Sequence, residues 1–178
     1  MLAETTGLLE SGLLVVAEDD GLIAMAVGTP GPTRDLELEL VAVLSDLQGQ
    51  GIGAATVEAL ADAAWERGLR TMSAWTDQPG FLEAIGFTRT GRARDDVLEL
   101  TAELEAPVRD VMVADGIRLG QLLKLAELVE TGAEAKSLLA DGAVAVNGEV
   151  DVRRGRQLVH GDEVRARDQA VRVVLLTT

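Results

Sequence analysis

The chain has 178 residues, of which 47% are apolar and 26% are charged, and its formal net charge is −14. Its length suits one medium domain or two small ones, and no apolar run reaches the roughly 18 to 20 residues of a membrane-spanning helix. The absence of cysteine excludes disulfides and cysteine-based zinc sites, and a single histidine, His160, cannot anchor a metal cluster. We therefore expect no metal site, and the lack of a basic signal-peptide start predicts a cytoplasmic protein.

The charged residues divide the chain into two unequal halves. Residues 1–106 carry 6 Lys and Arg against 19 Asp and Glu, a net charge of −13, whereas residues 107–178 carry 10 against 11, a net charge of −1. This asymmetry predicts two units with different partners. The acidic half has two interpretations, a surface that keeps the protein in solution or one that attracts a cationic acceptor such as an amine.

The first half alternates strand and helix signals. Asp19-Asp20-Gly21 joins two apolar runs and predicts a β-hairpin. Apolar and polar residues alternate from Leu36, which predicts a half-buried strand, and helical spacing begins near Ala54. The predicted strands are 13–18, 22–27, 36–44, 69–75 and 97–104, and the predicted helices are 54–67 and 79–84.

A glycine-rich segment, Gln48-Gly49-Gln50-Gly51-Ile52-Gly53, joins this strand to the first helix. Glycines at the start of a helix let the backbone approach a ligand, and the free N–H groups with the positive end of the helix dipole favour an anion such as a pyrophosphate. The spacing does not fit the dinucleotide-binding Gly-x-Gly-x-x-Gly fingerprint, but it fits Gln-x-x-Gly-x-Gly. With Val41-Ala42-Val43 before it and Phe-Leu-Glu-Ala-Ile-Gly-Phe at 81–87 after it, the order of elements over residues 13–100 resembles the GNAT family of acetyltransferases.

The resemblance implies that acetyl-CoA is the co-substrate and that loop amides hold its pyrophosphate. Glu37 and Glu39, on the strand beside the loop, are the candidate catalytic bases, and a solvated strand face is the alternative interpretation of both. The implied cofactor-binding residues are Val41, Val43, Gln48, Gly49, Gln50, Gly51, Ile52, Gly53 and Ala54.

Two departures from the family leave the activity open. GNAT chains usually place two helices before or between their early strands, where they shape the acceptor pocket, and here few residues precede the first predicted strand. The tyrosine that commonly serves as general acid is replaced by Leu82, and the chain has no tyrosine. Direct attack by a bound amine needs orientation, a polarised thioester and a base, so an active and an inactive enzyme both fit the sequence.

The second half follows a predicted linker, residues 103–110, in which Pro107 disrupts regular structure. A helix is predicted from Ile117, and Thr131 is predicted to cap a second helix that stops at Gly142. We therefore expect two consecutive short helices in this half.

A β-hairpin is predicted at 144–150, because Asn147-Gly148 is the strongest short-range hairpin signal. Three arginines follow within four residues, and a turn between apolar strands is predicted at 159–164. This order of two helices, a Val-Asn-Gly hairpin and a Gly-Asp turn resembles the S-four RNA-binding domain, named after protein four of the small ribosomal subunit.

The second resemblance implies structured RNA, ribosomal or transfer RNA, as the partner, bound by the helix pair and the hairpin. Arginine offers a planar fork that matches phosphate. Three arginines can also form an ordinary solvated loop quenched by Glu149 and Asp151, and Asn147 can serve the turn alone. The implied RNA-binding residues are Arg118, Lys124, Lys136, Asn147, Arg153, Arg154 and Arg156.

The sequence thus predicts an α+β protein, with a mixed-sheet GNAT-like domain at 1–105 and a small two-helix-plus-hairpin S-four-like domain at 110–178. One hypothesis is an RNA-associated enzyme that transfers acetyl from acetyl-CoA to an amine. The other is an RNA-binding protein whose GNAT-like half is catalytically inactive. A third, an interaction module that binds neither CoA nor RNA, requires both resemblances to mislead.

Overall fold

The computed structural model describes the backbone of residues 3–9 and 12–176 and the side chains of residues 12–176. The chain divides into two compact units, with the boundary between Glu105 and Ala106. Within the described ranges, no helix is long and apolar enough to cross a membrane.

The first unit is a seven-stranded sheet with two helices. The strands lie in the order β1-β2-β3-β4-β5-β7-β6. The β4–β5 pair is parallel and every other neighbouring pair is antiparallel. The helices are α1 (Ile52–Glu66) and α2 (Gly80–Ala84), and the strands are β1 (Ala3–Leu9), β2 (Gly12–Glu18), β3 (Leu22–Pro30), β4 (Asp35–Val43), β5 (Thr71–Thr76), β6 (Thr88–Arg94) and β7 (Val97–Glu103).

The core of this unit lies between one face of the sheet and the two helices. Strand alternation buries Val15, Leu36 and Met72 on that face, where they join Leu60 of α1 and Leu82 of α2 in one hydrophobic cluster. The two-residue periodicity of the sequence therefore fixes which strand residues face the helices.

Two strands of this unit were not predicted. All side chains of β6 are exposed, so this edge strand lacks the apolar alternation that reveals a strand in sequence. β1 pairs with β2 along its whole length, and two residues separate the two strands. The connection between β1 and β2 is therefore too short to contain the pair of helices that GNAT chains usually place near their early strands.

The second unit is a five-stranded sheet, in the order β10-β9-β11-β12-β8, with two helices. Leucines of both helices and valines of the sheet form its core, including Leu122, Leu139, Val146 and Val173. The helices are α3 (Leu119–Leu125) and α4 (Gly132–Ala140), and the strands are β8 (Val108–Val113), β9 (Val144–Val146), β10 (Glu149–Val150), β11 (Glu163–Ala166) and β12 (Gln169–Leu175).

The predicted linker at 103–110 is wrong at both ends. β7 extends through Glu103, and β8 starts at Val108, directly after Pro107, and pairs in parallel with β12. The exposed Arg109 and Asp110 interrupt the apolar pattern of β8, which explains why the sequence did not indicate a strand.

Two local predictions are confirmed. The backbone N–H of Glu134 donates to the Thr131 hydroxyl at 3.1 Å, which caps α4. Asn147 and Gly148 have φ of 54° and 81°, the left-handed values that a two-residue hairpin turn requires between β9 and β10.

Candidate functional site

The glycine-rich loop ends in a helix start with no side-chain cap. Gly51 is the N-cap of α1 at φ 83° and Gly49 has φ 77°, both in the left-handed region that favours glycine. The first turn contains no acidic residue, and the first bond of the helix runs from the Ala55 N–H to the Gly51 carbonyl at 3.1 Å. The amides of residues 52–54 precede that bond, and a helix leaves such amides free to meet an anion.

Gly53 lets the start of α1 approach β4 and α2. A Cβ on Gly53 would lie 3.3 Å from Val43 Cγ2 and 3.4 Å from Phe81 Cζ. Gln48 Nε2 donates to the Val43 carbonyl at 3.2 Å, and Gln50 Nε2 donates to the Asp46 carbonyl at 3.5 Å. The structure therefore brings Val43, Gln48 and Gly53 together, as a shared site requires.

The candidate bases lie where β4 separates from β5. The β4–β5 pairing ends at Leu38 opposite Ala74, although β4 continues to Val43. On its other side β4 pairs with β3, where Gly28 lies opposite Leu38 and Val27 opposite Leu40, so that the residue between Leu38 and Leu40 has no partner on β3. Glu39 is thus the bulged residue at the opening between the strands. Both Glu37 and Glu39 are exposed, and within residues 12–176 neither makes an ion pair.

The position of the missing tyrosine lies in the core. Leu82 is 6% exposed and belongs to the hydrophobic cluster of the first unit, whereas its neighbour Phe81 is 43% exposed beside Gly53. An aliphatic side chain cannot donate a proton, so position 82 supplies no general acid here.

In the second unit, the buried carboxylate of Asp151 holds two of the three clustered arginines. It accepts bonds from the Arg153 backbone N–H (2.8 Å), Arg153 Nε (3.0 Å) and Nη2 (2.5 Å), and Arg156 Nη1 (2.8 Å). Arg153 first, then Arg156, lower the pKa of Asp151 well below its ordinary value. The Arg156 side chain is 24% exposed, which indicates a structural role, whereas Arg153 is 72% exposed.

Arg154 makes no ion pair among residues 12–176. Its stem passes over Gly120 of α3, and its guanidinium reaches Gly132 at the start of α4. The sequence indicates Asp151 only as a quenching charge and does not single out Gly120, because the contacts of these residues with particular arginines depend on the folded loop.

Ten basic residues lie in the second half, and six of them are engaged. Arg109 donates to the Ala126 carbonyl, and the other five bind carboxylates: Arg153 and Arg156 bind Asp151, Arg165 binds Glu163, Arg167 binds Glu134 and Arg172 binds Asp110. The four remaining cations of this half make no ion pair within residues 12–176, and all four are exposed: Arg118, Lys124, Lys136 and Arg154.

Asn147, another predicted RNA contact, uses both polar atoms of its amide within the fold. Its Nδ2 donates to Asp162 Oδ1 at 2.8 Å, and its Oδ1 accepts from the Glu163 N–H at 2.8 Å. Asp162, which is 7% exposed, also accepts from the Val159 N–H at 2.9 Å. These bonds join the hairpin turn to the Gly161-Asp162 turn, so the geometry favours the alternative in which Asn147 serves the turn.

Comparison with known proteins agrees with this division. Residues 3–91 match the acetyltransferase (GNAT) family, and residues 112–174 match the S4 (S-four) domain. The chain is 52% identical over 48 residues to RlbA of Bacillus subtilis strain 168, which is named a probable ribosome maturation protein. That match spans 27% of this chain and 68% of RlbA.

Two solved structures share the fold of the first unit. A Bacillus subtilis acetyltransferase in complex with CoA has a TM-score of 0.51 at 17% identity, covering 58% of this chain and 99% of that one. A GNAT-family protein from Desulfovibrio desulfuricans has a TM-score of 0.50 at 22% identity, covering 53% and 70%. These structures share the fold, and the family follows from the match over residues 3–91, which is half of the chain: the chain belongs to the acetyltransferase (GNAT) family and carries an S4 domain at residues 112–174.

Proposed function

We propose that this protein binds RNA through its S4 domain. The observation that carries the proposal is the distribution of free cations in the second unit. Arg118, Lys124, Lys136 and Arg154 have no carboxylate partner within the described residues, whereas the other basic side chains of this half are engaged. With a net charge of −1 in this half, affinity for phosphate has to come from such unpaired cations and not from the overall charge.

Ribosomal RNA is the proposed partner. The relative RlbA is named for ribosome maturation, and the S4 resemblance implies a structured RNA. Each neutralised phosphate contributes roughly 0.7 to 0.9 to the slope of log affinity against log salt, so four contacts predict a slope of about −3.

The test is titration of the full chain with fragmented ribosomal RNA at several salt concentrations. Replacing Lys136 by alanine should weaken binding and make the salt slope shallower by about 1. Arg167→Ala is the matched control, because it removes the same charge from a side chain already bound to Glu134 at 2.6 Å. Equal losses in both variants would attribute binding to overall charge and contradict the proposed interface.

We propose a second activity, acyl-CoA binding, for the loop 48–54. It is supported by the uncapped start of α1 and by the absence of acidic residues in its first turn, in a half of the chain with a net charge of −13. The CoA-bound relative shares the fold but does not test this loop. The amides of Ile52, Gly53 and Ala54 would face the pyrophosphate, and Val41 and Val43 would border the acyl chain.

Calorimetric titration of acetyl-CoA into the full chain tests this site. Gly53→Glu should abolish binding, because the new side chain meets Val43 and Phe81 and brings a negative charge to the anion site. Ala93→Glu adds the same charge on the exposed strand β6 and should leave affinity unchanged. Unaltered affinity in a folded Gly53→Glu variant would make the loop purely structural.

If acyl-CoA binds, we propose acetyl transfer to an amine, with Glu39 as base and Glu37 as the second candidate. The amine nitrogen would attack the thioester carbonyl, the carbon–sulfur bond would break with CoA leaving as its thiolate, and one amine proton would pass to the carboxylate. Glu39→Gln should lower turnover and spare acetyl-CoA affinity. Absence of transfer from labelled acetyl-CoA to ribosomal proteins, RNA and small amines would favour the alternative, an inactive GNAT-like half.

A further inference from the structure

We propose that Gly120 is a positioning residue of the RNA interface, a role that rests on the proposed RNA-binding function. Because Gly120 has no side chain, the stem of Arg154 packs across α3, and its guanidinium lies between α3 and α4. The role concerns the direction of one cation and not the number of cations.

The main chain first fixes the arginine loop against the start of α3. The Leu119 N–H donates to the Arg156 carbonyl at 2.8 Å, and the Gly120 N–H donates to the Arg154 carbonyl at 3.0 Å. Arg118 and Gln157 form an isolated β-bridge beside these bonds. The Cα of Arg154 therefore has little freedom, and the path of its side chain depends on the surface beneath it.

That surface is the bare Cα of Gly120. A Cβ at this position would lie 2.5 Å from Arg154 Cγ, 3.1 Å from Nε and 3.3 Å from Cδ, closer than non-bonded carbon atoms pack. Gly120 is buried and has no left-handed φ, so its conformation is open to any residue. Alanine is the better helix former, so the space taken by Arg154 is the physical reason for glycine here.

The far end of the same side chain reaches the second helix. A Cβ on Gly132, the first residue of α4, would lie 3.4 Å from Arg154 Nη2. Lys124 lines the same open groove, together with the apolar Ile117 and Leu125 and the acidic Asp115 and Glu127. Arg154 thus places a planar donor fork in a groove that also holds a second cation, an arrangement suited to an RNA phosphate.

Asp151 explains why Arg154, and not Arg153 or Arg156, packs on Gly120. The carboxylate binds the arginines on either side of it in sequence, Arg153 and Arg156. Arg154 is left without an ion pair in the described residues, and its stem packs on α3 instead.

The experiment measures binding of fragmented ribosomal RNA to full-length Gly120→Ala, Arg154→Ala and the double variant. Each single variant should lose about tenfold in affinity, the size of one charge-assisted phosphate contact, and the salt slope should become shallower by about 1. The double variant should bind like Arg154→Ala, because alanine at 154 has no Cγ for the new methyl group to meet. Gly155→Ala is the control: it lies in the same loop, and its added Cβ would meet nothing within 4 Å.

Thermal unfolding of the same variants keeps the inference testable if Gly120→Ala folds poorly. A lower unfolding temperature in Gly120→Ala that recovers in Gly120→Ala/Arg154→Ala supports the packing of Arg154 on Gly120. Wild-type affinity in a folded Gly120→Ala variant overturns it, as does a double variant that binds less than Arg154→Ala. A wild-type chain with no salt-dependent RNA binding overturns the proposed function itself, so the two failures are distinguishable.

Discussion

Replacing Asp151 by asparagine tests whether one buried carboxylate organises the arginine loop. Asparagine keeps an oxygen that accepts from the Arg153 backbone N–H and Nε. In place of Oδ2, which accepts from Arg153 Nη2 and Arg156 Nη1, it has an NH2 group that cannot accept these bonds. The lost bond to Arg156 matters most, because that side chain is 24% exposed and would stay without a carboxylate. A lost bond between charged groups of this kind costs roughly 1.5 to 3 kcal/mol, so we expect the second unit to lose about 2 kcal/mol of unfolding free energy.

Urea unfolding followed by two signals separates the units. Trp65 and Trp75 both lie in the first half and residues 106–178 contain no aromatic residue, so tryptophan emission follows the first unit. Circular dichroism follows both units. Asp151→Asn should lower the urea midpoint of a circular-dichroism transition and leave the emission transition in place.

Asp168→Asn provides the matched control in the same unit. Asp168 is exposed and makes no hydrogen bond or ion pair within residues 12–176, so the same loss of charge should leave both transitions unchanged. Wild-type unfolding of Asp151→Asn would contradict this role of the carboxylate, and so would an emission transition that shifts by as much as the circular-dichroism transition.

Three further predictions concern the second unit. The lowered pKa of Asp151 means that its ionised carboxylate stabilises the fold above the ordinary carboxyl pKa of about 4, and that this stabilisation is lost as the pH falls below that value. The difference in unfolding free energy between wild type and Asp151→Asn should therefore narrow in urea titrations below pH 4, and a constant difference would contradict this. Asn147→Ala removes both amide bonds and should cost about 1 to 2 kcal/mol by the same assay, and lost RNA affinity at full stability would instead make Asn147 a contact. Thr131→Ala should cost about 1 kcal/mol through the lost cap of α4, whereas Thr131→Ser should be near neutral; equal effects would argue against the hydroxyl.

Elements with local causes were predictable. The turn at Asn147-Gly148 depends on residues that adopt positive φ, and the start of α4 depends on a hydroxyl three residues before the amide it caps. The glycine-rich loop is of the same kind, since Gly49 and Gly51 adopt left-handed φ where the chain enters α1. Each of these causes lies within a few residues, so a single sequence reveals it.

Elements that are defined by strand pairing and not by their own residue pattern were missed or left open. β6 and β8 carry too many exposed residues to show a strand period, and their pairing with β7 and β12 is what makes them strands. The opening at Glu39 likewise arises because β5 pairs with β4 only as far as Leu38.

The sequence by itself determined the order of the two units, the glycine loop and the set of candidate cations, because these follow from local spacing and composition. Tertiary structure alone decided how those cations are used. The loop that carries three arginines folds back on Asp151 and α3, so that Arg153 and Arg156 are held by a carboxylate while Arg154 lies on Gly120. Arginines so close in sequence are equivalent until the chain folds, and the burial of one carboxylate and the bare surface of one glycine then distinguish them.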